Sequence, residues 1–355
     1  MVELGVDEMT VVLQAPKDVL DVMAFGDWPD IADAMSTAFI DRSGLRSVFG
    51  EPRPEARCPQ GYTAAMALGE HGFYLAVAMN ERQPRMGVCI RISAQALAYL
   101  VEETNEEPYR MLSRAYSPDE YAMRLSRIDL TADYMDEGVD VTSIYRGLTS
   151  GTVSVMREQM DSRTGELMLR RAAATLSGYA VGDAVPTFYL GSRKANVDAL
   201  LRVYDKKREQ EEKSGTRRAL AESLNDWVRF EASLRHNYAA QFGNGMLSIN
   251  SDEEFANLIG SVLRNATSFT RTLRLLRGPR HFSTLWTVAL FDCSQRVAET
   301  ASWRRASDTS ATEAGYSRCS TKPNASGAMT HRKEYSIGSL ASSQSTNRIR
   351  TAWVG

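Results

Sequence analysis

Apolar and polar residues alternate along much of the chain in short runs typical of β-strands, with helix-like segments between them. A first strand is predicted at Val6–Leu13, and apolar residues at helical spacing predict an amphipathic helix at Trp28–Phe39. Three short runs between Gly61 and Ile92 predict an antiparallel meander, followed by a helix at Ser93–Glu103. Another helix is expected to follow Ser117–Glu120, where a serine cap precedes a proline.

Four further strands are predicted in the second half of the chain. Three of them alternate strictly, and the fourth is a shorter apolar run: Ser126–Tyr134, Ala199–Lys206, Trp227–Arg235 and Thr187–Gly191.

The segments between and after these strands are more varied. Helices are predicted from about Val141 and from Ser251, where Ser and acidic residues form a capping signal. The weakly patterned residues 156–171 indicate a loop or a hairpin, and the charged residues 205–213 indicate a solvated helix start or a mobile loop.

Each strictly alternating strand presents one apolar face and one polar face. If their apolar faces share a core, their polar faces converge on one surface. The predicted fold is therefore α+β, with a central, mainly antiparallel β-sheet flanked by helices and an open polar sheet face that carries the active site. The three polar sets are Arg127/Asp129/Asp133, Arg202/Tyr204/Lys206 and Arg229/Glu231/Arg235.

This surface would bring together a tyrosine, carboxylates and cations. Tyrosine has a reference pKa near 10, so it becomes a useful nucleophile only where positive charge or a metal ion stabilises its phenolate. Arg202, Lys206 and Lys207 surround Tyr204 in the sequence. Clustered carboxylates without cysteine or histidine suit Mg²⁺ or Mn²⁺, which would polarise a phosphoryl oxygen.

A less specific interpretation of the same pattern stays open. Alternating acidic and basic residues on a strand often form cross-strand ion pairs on a solvated sheet face. A single tyrosine is more often a packing residue, and Gly191-Ser-Arg-Lys194 is more typical of a turn than of a phosphate loop. In that case the protein is an ordinary α+β protein with a charged surface.

Composition limits the alternatives. The 355 residues carry a net charge of −2, so any DNA binding must depend on local patches. The four cysteines lie far apart without CxxC spacing, which argues against a zinc site or a disulfide framework. The sequence shows neither a leader nor an apolar stretch long enough to span a membrane, so we expect a cytoplasmic protein.

Two regions are predicted along the chain. Residues 1–280 form the folded domain, whereas residues 281–355 form an atypical tail rich in Ser and Thr that we expect to be poorly ordered.

Several motifs, in order, resemble the trans-acting replication initiation factor family, which contains initiators of rolling-circle plasmids and related relaxases of integrative conjugative elements. The resemblance covers roughly residues 4–275. It rests on Leu4-Gly-Val-Asp, Pro59-Gln-Gly-Tyr, Gln83-Pro-Arg-Met-Gly-Val-Cys-Ile, Ser126-Arg-Ile-Asp-Leu-Thr-Ala-Asp, Phe188-Tyr-Leu-Gly-Ser-Arg-Lys, Arg202-Val-Tyr-Asp-Lys-Lys-Arg-Glu-Gln and Val228-Arg-Phe-Glu-Ala-Ser-Leu-Arg.

The resemblance implies a metal-dependent enzyme that nicks and joins DNA at an origin through a phosphotyrosine intermediate. Such an enzyme would start rolling-circle replication or transfer of a plasmid or mobile element. Tyr204 would be the nucleophile, with Tyr189 as the alternative, and Lys206 and Lys207 would stabilise phenolate and phosphate. Asp129, Glu231 and Asp133 would hold Mg²⁺ or Mn²⁺. The residues implied in DNA binding are Arg193, Lys194, Arg202, Arg229 and Arg235.

The resemblance also implies partners: origin DNA, a second copy of the chain and a host helicase, with no membrane. A catalytically inactive DNA-binding remnant of the family is the alternative function. The residues around 156–171 match the family's pattern poorly.

Overall fold

The structure is a computed structural model that describes residues 1–69, 75–194, 197–213 and 217–271. Within this part of the chain, thirteen strands are present, numbered in chain order: β1 Val2–Gln14, β2 Arg53–Pro54, β3 Ala64–Leu68, β4 Leu75–Met79, β5 Val88–Ile92, β6 Ala122–Met135, β7 Val153–Met160, β8 Leu167–Arg171, β9 Leu176–Val181, β10 Ala184–Leu190, β11 Ala199–Asp205, β12 Trp227–Arg235 and β13 Ser268–Arg271.

Ten α-helices connect or flank these strands in the same described ranges: α1 Lys17–Val22, α2 Trp28–Ser43, α3 Leu45–Phe49, α4 Ala94–Thr104, α5 Pro108–Ala115, α6 Val141–Ser150, α7 Lys206–Glu212, α8 Arg218–Ser223, α9 His236–Ser248 and α10 Asp252–Thr267. None of these helices is long and apolar enough to cross a membrane.

Ten strands form one antiparallel sheet in the order β2-β3-β4-β5-β1-β6-β12-β11-β10-β9. The helices α9 and α10 pack against β6 and β12. On that side the ring of Phe230 meets Tyr134 edge to face at 5.3 Å between centroids and lies 6.3 Å from Phe269. The predicted α+β fold with a central antiparallel sheet is therefore confirmed.

A smaller sheet in the order β13-β7-β8 contains a β-hairpin. Residues 153–171 therefore form the hairpin alternative of the sequence prediction, and residues 206–212 form a helix. The predicted strands and the helices at Trp28, Ser93, Val141 and Ser251 are present, with somewhat longer or shifted ends.

The prediction of a helix after Ser117–Glu120 was wrong. The amides of Glu120 and Tyr121 both donate to the Ser117 carbonyl, which makes a turn, and β6 begins two residues later. Tyr121 is fully buried and its hydroxyl donates to the Ala115 carbonyl, so tertiary burial overrides the capping signal. The helix stands earlier instead, at α5, with proline in its first turn.

The boundary predicted at residue 280 and the predicted tail at 281–355 lie outside the described residues.

Candidate active site

Residues on the same face of five neighbouring strands, β1, β6, β12, β11 and β10, line up in two rows across the sheet. Strand pairing sets the residues of each row directly opposite one another. The first row is Glu3, Asp133, Arg229, Tyr204 and Thr187, and the second is Gly5, Thr131, Glu231, Arg202 and Tyr189. The convergence predicted from the alternating pattern is thus present.

Two carboxylates of this face are tightly bound by arginines. Asp133 accepts hydrogen bonds from Nε and Nη2 of Arg229, at 2.7 and 2.6 Å. Asp129 accepts from Arg127 at 3.1 and 2.6 Å and from the hydroxyl of Ser233. Both aspartates are only 2% exposed and Arg229 is 7% exposed. This part of the face is therefore a buried set of charge-assisted hydrogen bonds.

Such pairing favours a structural role for Arg229, in place of the DNA contact expected from its position. Burial alone would lower the pKa of Arg229, but the neighbouring Asp133 and Asp7 outweigh it and leave the pKa well above its ordinary value, so Arg229 stays charged. Its third contact is Nη1 to Oδ1 of Asp7, at 2.7 Å.

Asp7 is a functional candidate that sequence reasoning missed, although its motif was recognised. A β-bulge interrupts the pairing of β1 with β6 between Val6 and Glu8. A bulge sets two residues opposite one, so the simple period of two fails at this point. Asp7 and Glu8 then both contact arginines of the polar face, Arg229 and Arg127 respectively.

Tyr204 lies at the centre of the first row and is 3% exposed. The guanidinium of Arg202 stacks 3.9 Å from the centre of its ring, and Nζ of Lys206 lies 3.5 Å from its hydroxyl. Burial nevertheless raises the pKa of the Tyr204 phenol well above its ordinary value, and this outweighs the lowering effect of Arg229. The cations therefore do not activate the phenol in the free protein, in contrast to the expectation from sequence.

Arg202 and Glu231 are the least satisfied charged pair on the face. Their closest approach is 3.6 Å, and Nε of Arg202 is buried without a hydrogen-bond partner among the described residues. Burial and the charge of Asp7 raise the pKa of Glu231 to about 7. A guanidinium with an unused donor and a carboxylate with excess negative charge form a site that a bound ligand would complete.

The two lysines after Tyr204 lie on different sides. Lys206 is the one near the tyrosine, and it also donates to Glu209 at 2.6 Å. Lys207 donates to the Leu224 carbonyl and lines a cleft of about 440 Å³ with Trp227. Of these two lysines, Lys206 is the one whose ammonium lies near the phenolic oxygen of Tyr204.

The remaining predicted residues border the face. Tyr189 is half-buried, directly opposite Arg202, with the Arg193 guanidinium 5.2 Å from its ring centre. Arg193 and Lys194 are exposed on the turn after β10, where Gly191 has a φ of 109° that favours glycine. Arg235 is half-buried at the end of β12, opposite Arg127.

Comparison with known proteins identifies the region that holds these residues. Residues 123–284 match the replication initiation factor family. The match covers less than half of the chain. It contains β10, β11, β12 and all but the first residue of β6, and so every residue named above from Asp129 to Arg235, whereas Asp7 lies outside it on β1.

Two other comparisons add less. The rolling circle replication initiator protein from Geobacillus stearothermophilus is similar to this chain with a TM-score of 0.49 and 17% identity, over 79% of this chain and 90% of that one. No curated protein sequence matches the chain.

The carboxylates of the polar face differ in how well they could bind a metal ion. No group of three or more His, Cys, Asp or Glu side chains in the described ranges is arranged to hold a metal ion. The oxygens of Asp129 and Asp133 already accept hydrogen bonds from arginines, which disfavours both as ligands. Glu231 and Asp7 fit better, because Asp7 accepts a hydrogen bond from Arg229 through Oδ1 alone, and because the charge of Asp7 helps to raise the pKa of Glu231, an effect that a cation would relieve.

Proposed function

We propose that the protein nicks and rejoins one DNA strand at an origin through a phosphotyrosine at Tyr204. This step would start rolling-circle replication, or transfer, of a plasmid or mobile element. The observation that carries the proposal is the register of β11 and β12, which sets Tyr204, Arg202 and Glu231 side by side within the region matched to the replication initiation factor family.

In the proposed reaction, Oη of Tyr204 attacks the scissile phosphorus and the bond to the 3′ oxygen breaks. The phenolic proton passes to water and the leaving 3′ oxygen takes up a proton, so a 5′ phosphotyrosine and a free 3′ hydroxyl remain. Rejoining is the reverse reaction, with the 3′ hydroxyl as nucleophile. Because burial raises the pKa of Tyr204, the phenol is protonated before the reaction, and the proton would leave as the bond to phosphorus forms.

Arg202 and Lys206 have separate tasks in this scheme. Arg202 can turn its unused Nε–H and its charge toward the non-bridging phosphate oxygens. Lys206 stabilises the developing negative charge on the phenolic oxygen. Tyr189 would approach the same phosphate from the next strand, and it remains the alternative nucleophile.

A divalent ion, Mg²⁺ or Mn²⁺, would be held by Glu231 and Asp7 and would polarise a phosphoryl oxygen. Both are hard cations that accept one or two carboxylates and complete their shell with water or phosphate oxygens. Asp129 and Asp133, also predicted as ligands, would instead orient Arg127 and Arg229 behind this pair.

An assay on supercoiled DNA that carries the gene's flanking sequence tests the proposal. The wild-type protein should relax the plasmid and form a covalent adduct with Mg²⁺ or Mn²⁺, and neither should occur in EDTA. Tyr204→Phe should form no adduct, whereas Tyr189→Phe should retain it. The opposite result for the two variants would identify Tyr189 as the nucleophile. If the wild type forms no adduct with either metal, the proposed nicking activity is refuted.

One observation favours the second candidate, a DNA-binding protein of the same family without nicking activity. Tyr204 is almost completely buried and holds its proton firmly. Binding of DNA without any adduct would support this candidate. In both cases the proposed partners are origin DNA, a second copy of the chain and a host helicase, in the cytoplasm.

A further inference from the structure

The hairpin of β7 and β8 carries unpaired arginines. Arg157 and Arg170 are direct cross-strand neighbours, and Arg171 stands opposite Met156 one position closer to the base. Arg163 lies in the turn between the strands. All four are exposed.

Direct opposition of like charges on paired strands is unfavourable unless an anion lies between them. Arg170 has a partner, because its Nη2 donates to Asp161. Arg157, Arg163 and Arg171 have no side-chain partner in the ranges that the structure describes. In other parts of the chain, Arg42, Arg46 and Arg218 are each paired with a carboxylate.

The hairpin is anchored only at its base. Val155 and Ser154 are buried there, Val155 pairs with Phe269 of β13, and α6 and α10 pack against β7. From Arg157 outward the described side chains are half-buried or exposed. The result is a two-stranded ribbon whose outer part carries four arginines against three acidic residues, Glu158, Asp161 and Glu166, and whose base packs on the domain.

We propose that this hairpin is an arm that binds duplex DNA beside the nicking site, with Arg157, Arg163 and Arg171 on phosphates. A two-stranded antiparallel ribbon has the width that a DNA major groove admits. Because the whole chain has a net charge of −2, affinity for the duplex must come from such local clusters. The inference rests on the proposed function, because it supplies the duplex contact for a protein that acts on an origin.

Duplex binding measured against salt tests the arm. The probe is a fluorescent 30-base-pair duplex of arbitrary sequence, and its anisotropy is followed at several salt concentrations. Each phosphate contact contributes about 0.9 to the slope of log K against log salt. The variant Arg157→Ala/Arg163→Ala/Arg171→Ala should therefore lower the slope by about 2.7 if all three contacts are made. It leaves the Arg170–Asp161 pair, and hence the hairpin, intact.

The matched control is Arg42→Ala/Arg46→Ala/Arg218→Ala, which removes the same charge from ion-paired arginines. Its slope should stay within about 1 of the wild-type value. Equal slopes for the hairpin variant and the wild type would contradict the proposal that the hairpin binds duplex DNA. An equal decrease in slope in both triple variants would contradict it as well. Circular dichroism of both variants verifies that they fold as the wild type does.

The adduct assay separates this inference from the proposed function. If the wild type forms a tyrosyl adduct but the hairpin variant keeps the full salt slope, the arm alone is refuted. If the salt dependence of the hairpin variant is weaker but the wild type forms no adduct, the hairpin binds duplex DNA and the proposed nicking activity is refuted.

Discussion

Two neighbouring parts of the same sheet face differ in how their charges are satisfied. Asp133, Arg229 and Asp7 hold one another by short hydrogen bonds, and Asp129 is held in the same way by Arg127 and Ser233. In the second row, two residues along each strand, Arg202 and Glu231 approach only to 3.6 Å. In the first part every charged group is paired, as in a folded core. In the second part a donor of Arg202 is unused among the described residues, which is typical of a binding site.

This difference divides charged residues of the same type into those that stabilise the fold and those that are available to bind a ligand. Buried ion pairs that are fully hydrogen-bonded fix geometry, and loss of one partner is costly. Polar groups left unsatisfied in a folded protein need a reason, and a ligand is a common one. The following substitutions test this division, in order of expected effect.

Substitution of Tyr204, the proposed nucleophile, should have the largest effect. Tyr204→Phe removes only the hydroxyl, so adduct formation should fall by at least about 10³-fold. The unfolding midpoint in urea should change little, since the ring still packs under Arg202. A variant that nicks at the wild-type rate would place Tyr204 in the structural part of the face.

Loss of a buried carboxylate should destabilise the fold. Asp133→Ala leaves the Arg229 guanidinium buried with Asp7 alone, so the free energy of unfolding should fall by about 3–5 kcal/mol. The control is Glu120→Ala, which breaks the exposed Arg42–Glu120 pair and should cost less than about 1 kcal/mol. Equal losses in urea unfolding would mean that the Asp133 pair is not buried in solution.

Glu231 should make stability depend on pH. Its pKa is raised from 4.5 to about 7 by burial and by Asp7 and Asp129, against the lowering effects of Arg202 and Arg229. The folded state therefore keeps a proton that the unfolded state releases, and stability is lost as the pH rises from about 4.5 to 7. The loss should be on the order of 3 kcal/mol without metal.

The variant Glu231→Gln lacks this group and should lose less stability over the same range, as measured by urea unfolding in EDTA. Added Mg²⁺ or Mn²⁺ at pH 8 should raise the unfolding temperature of the wild type but not of the variant. The same pH dependence in both proteins would show that another group titrates.

Arg202→Lys should have the smallest of these effects. The variant keeps the charge but loses the planar donor and the stacking on Tyr204, so adduct formation should fall by up to about 100-fold with little change in stability. Arg235→Lys is the matched control on the next strand, and it should stay near the wild-type rate. Equal rates for the two variants would remove Arg202 from the phosphate site.

Strict alternation was enough to predict which residues share the polar face, because side chains on a strand repeat with a period of two. It placed Asp129, Tyr204 and Glu231 on three paired strands, as the structure shows. Alternation could not reveal burial. Whether a polar face is open depends on how arginines fold back over carboxylates, as Arg229 does over Asp133.

Other features could not be predicted from the sequence pattern, for different physical reasons. The contact of Asp7 depends on a bulge that a periodic pattern cannot represent. The different surroundings of Lys206 and Lys207 depend on where β11 ends and α7 begins, since a helix start changes side-chain directions. The turn at Ser117 carried a helix signal that the burial of Tyr121 overruled.

The contact between Asp7 and Arg229 joins residues 222 positions apart in the chain. During synthesis, the first strand leaves the ribosome long before its partner on β12 exists. A fragment that stops before Arg229 contains Tyr204 but lacks both Arg229 and Glu231, so the two rows cannot be completed. An unfinished chain therefore carries Tyr204 without the residues of β12 that complete both rows.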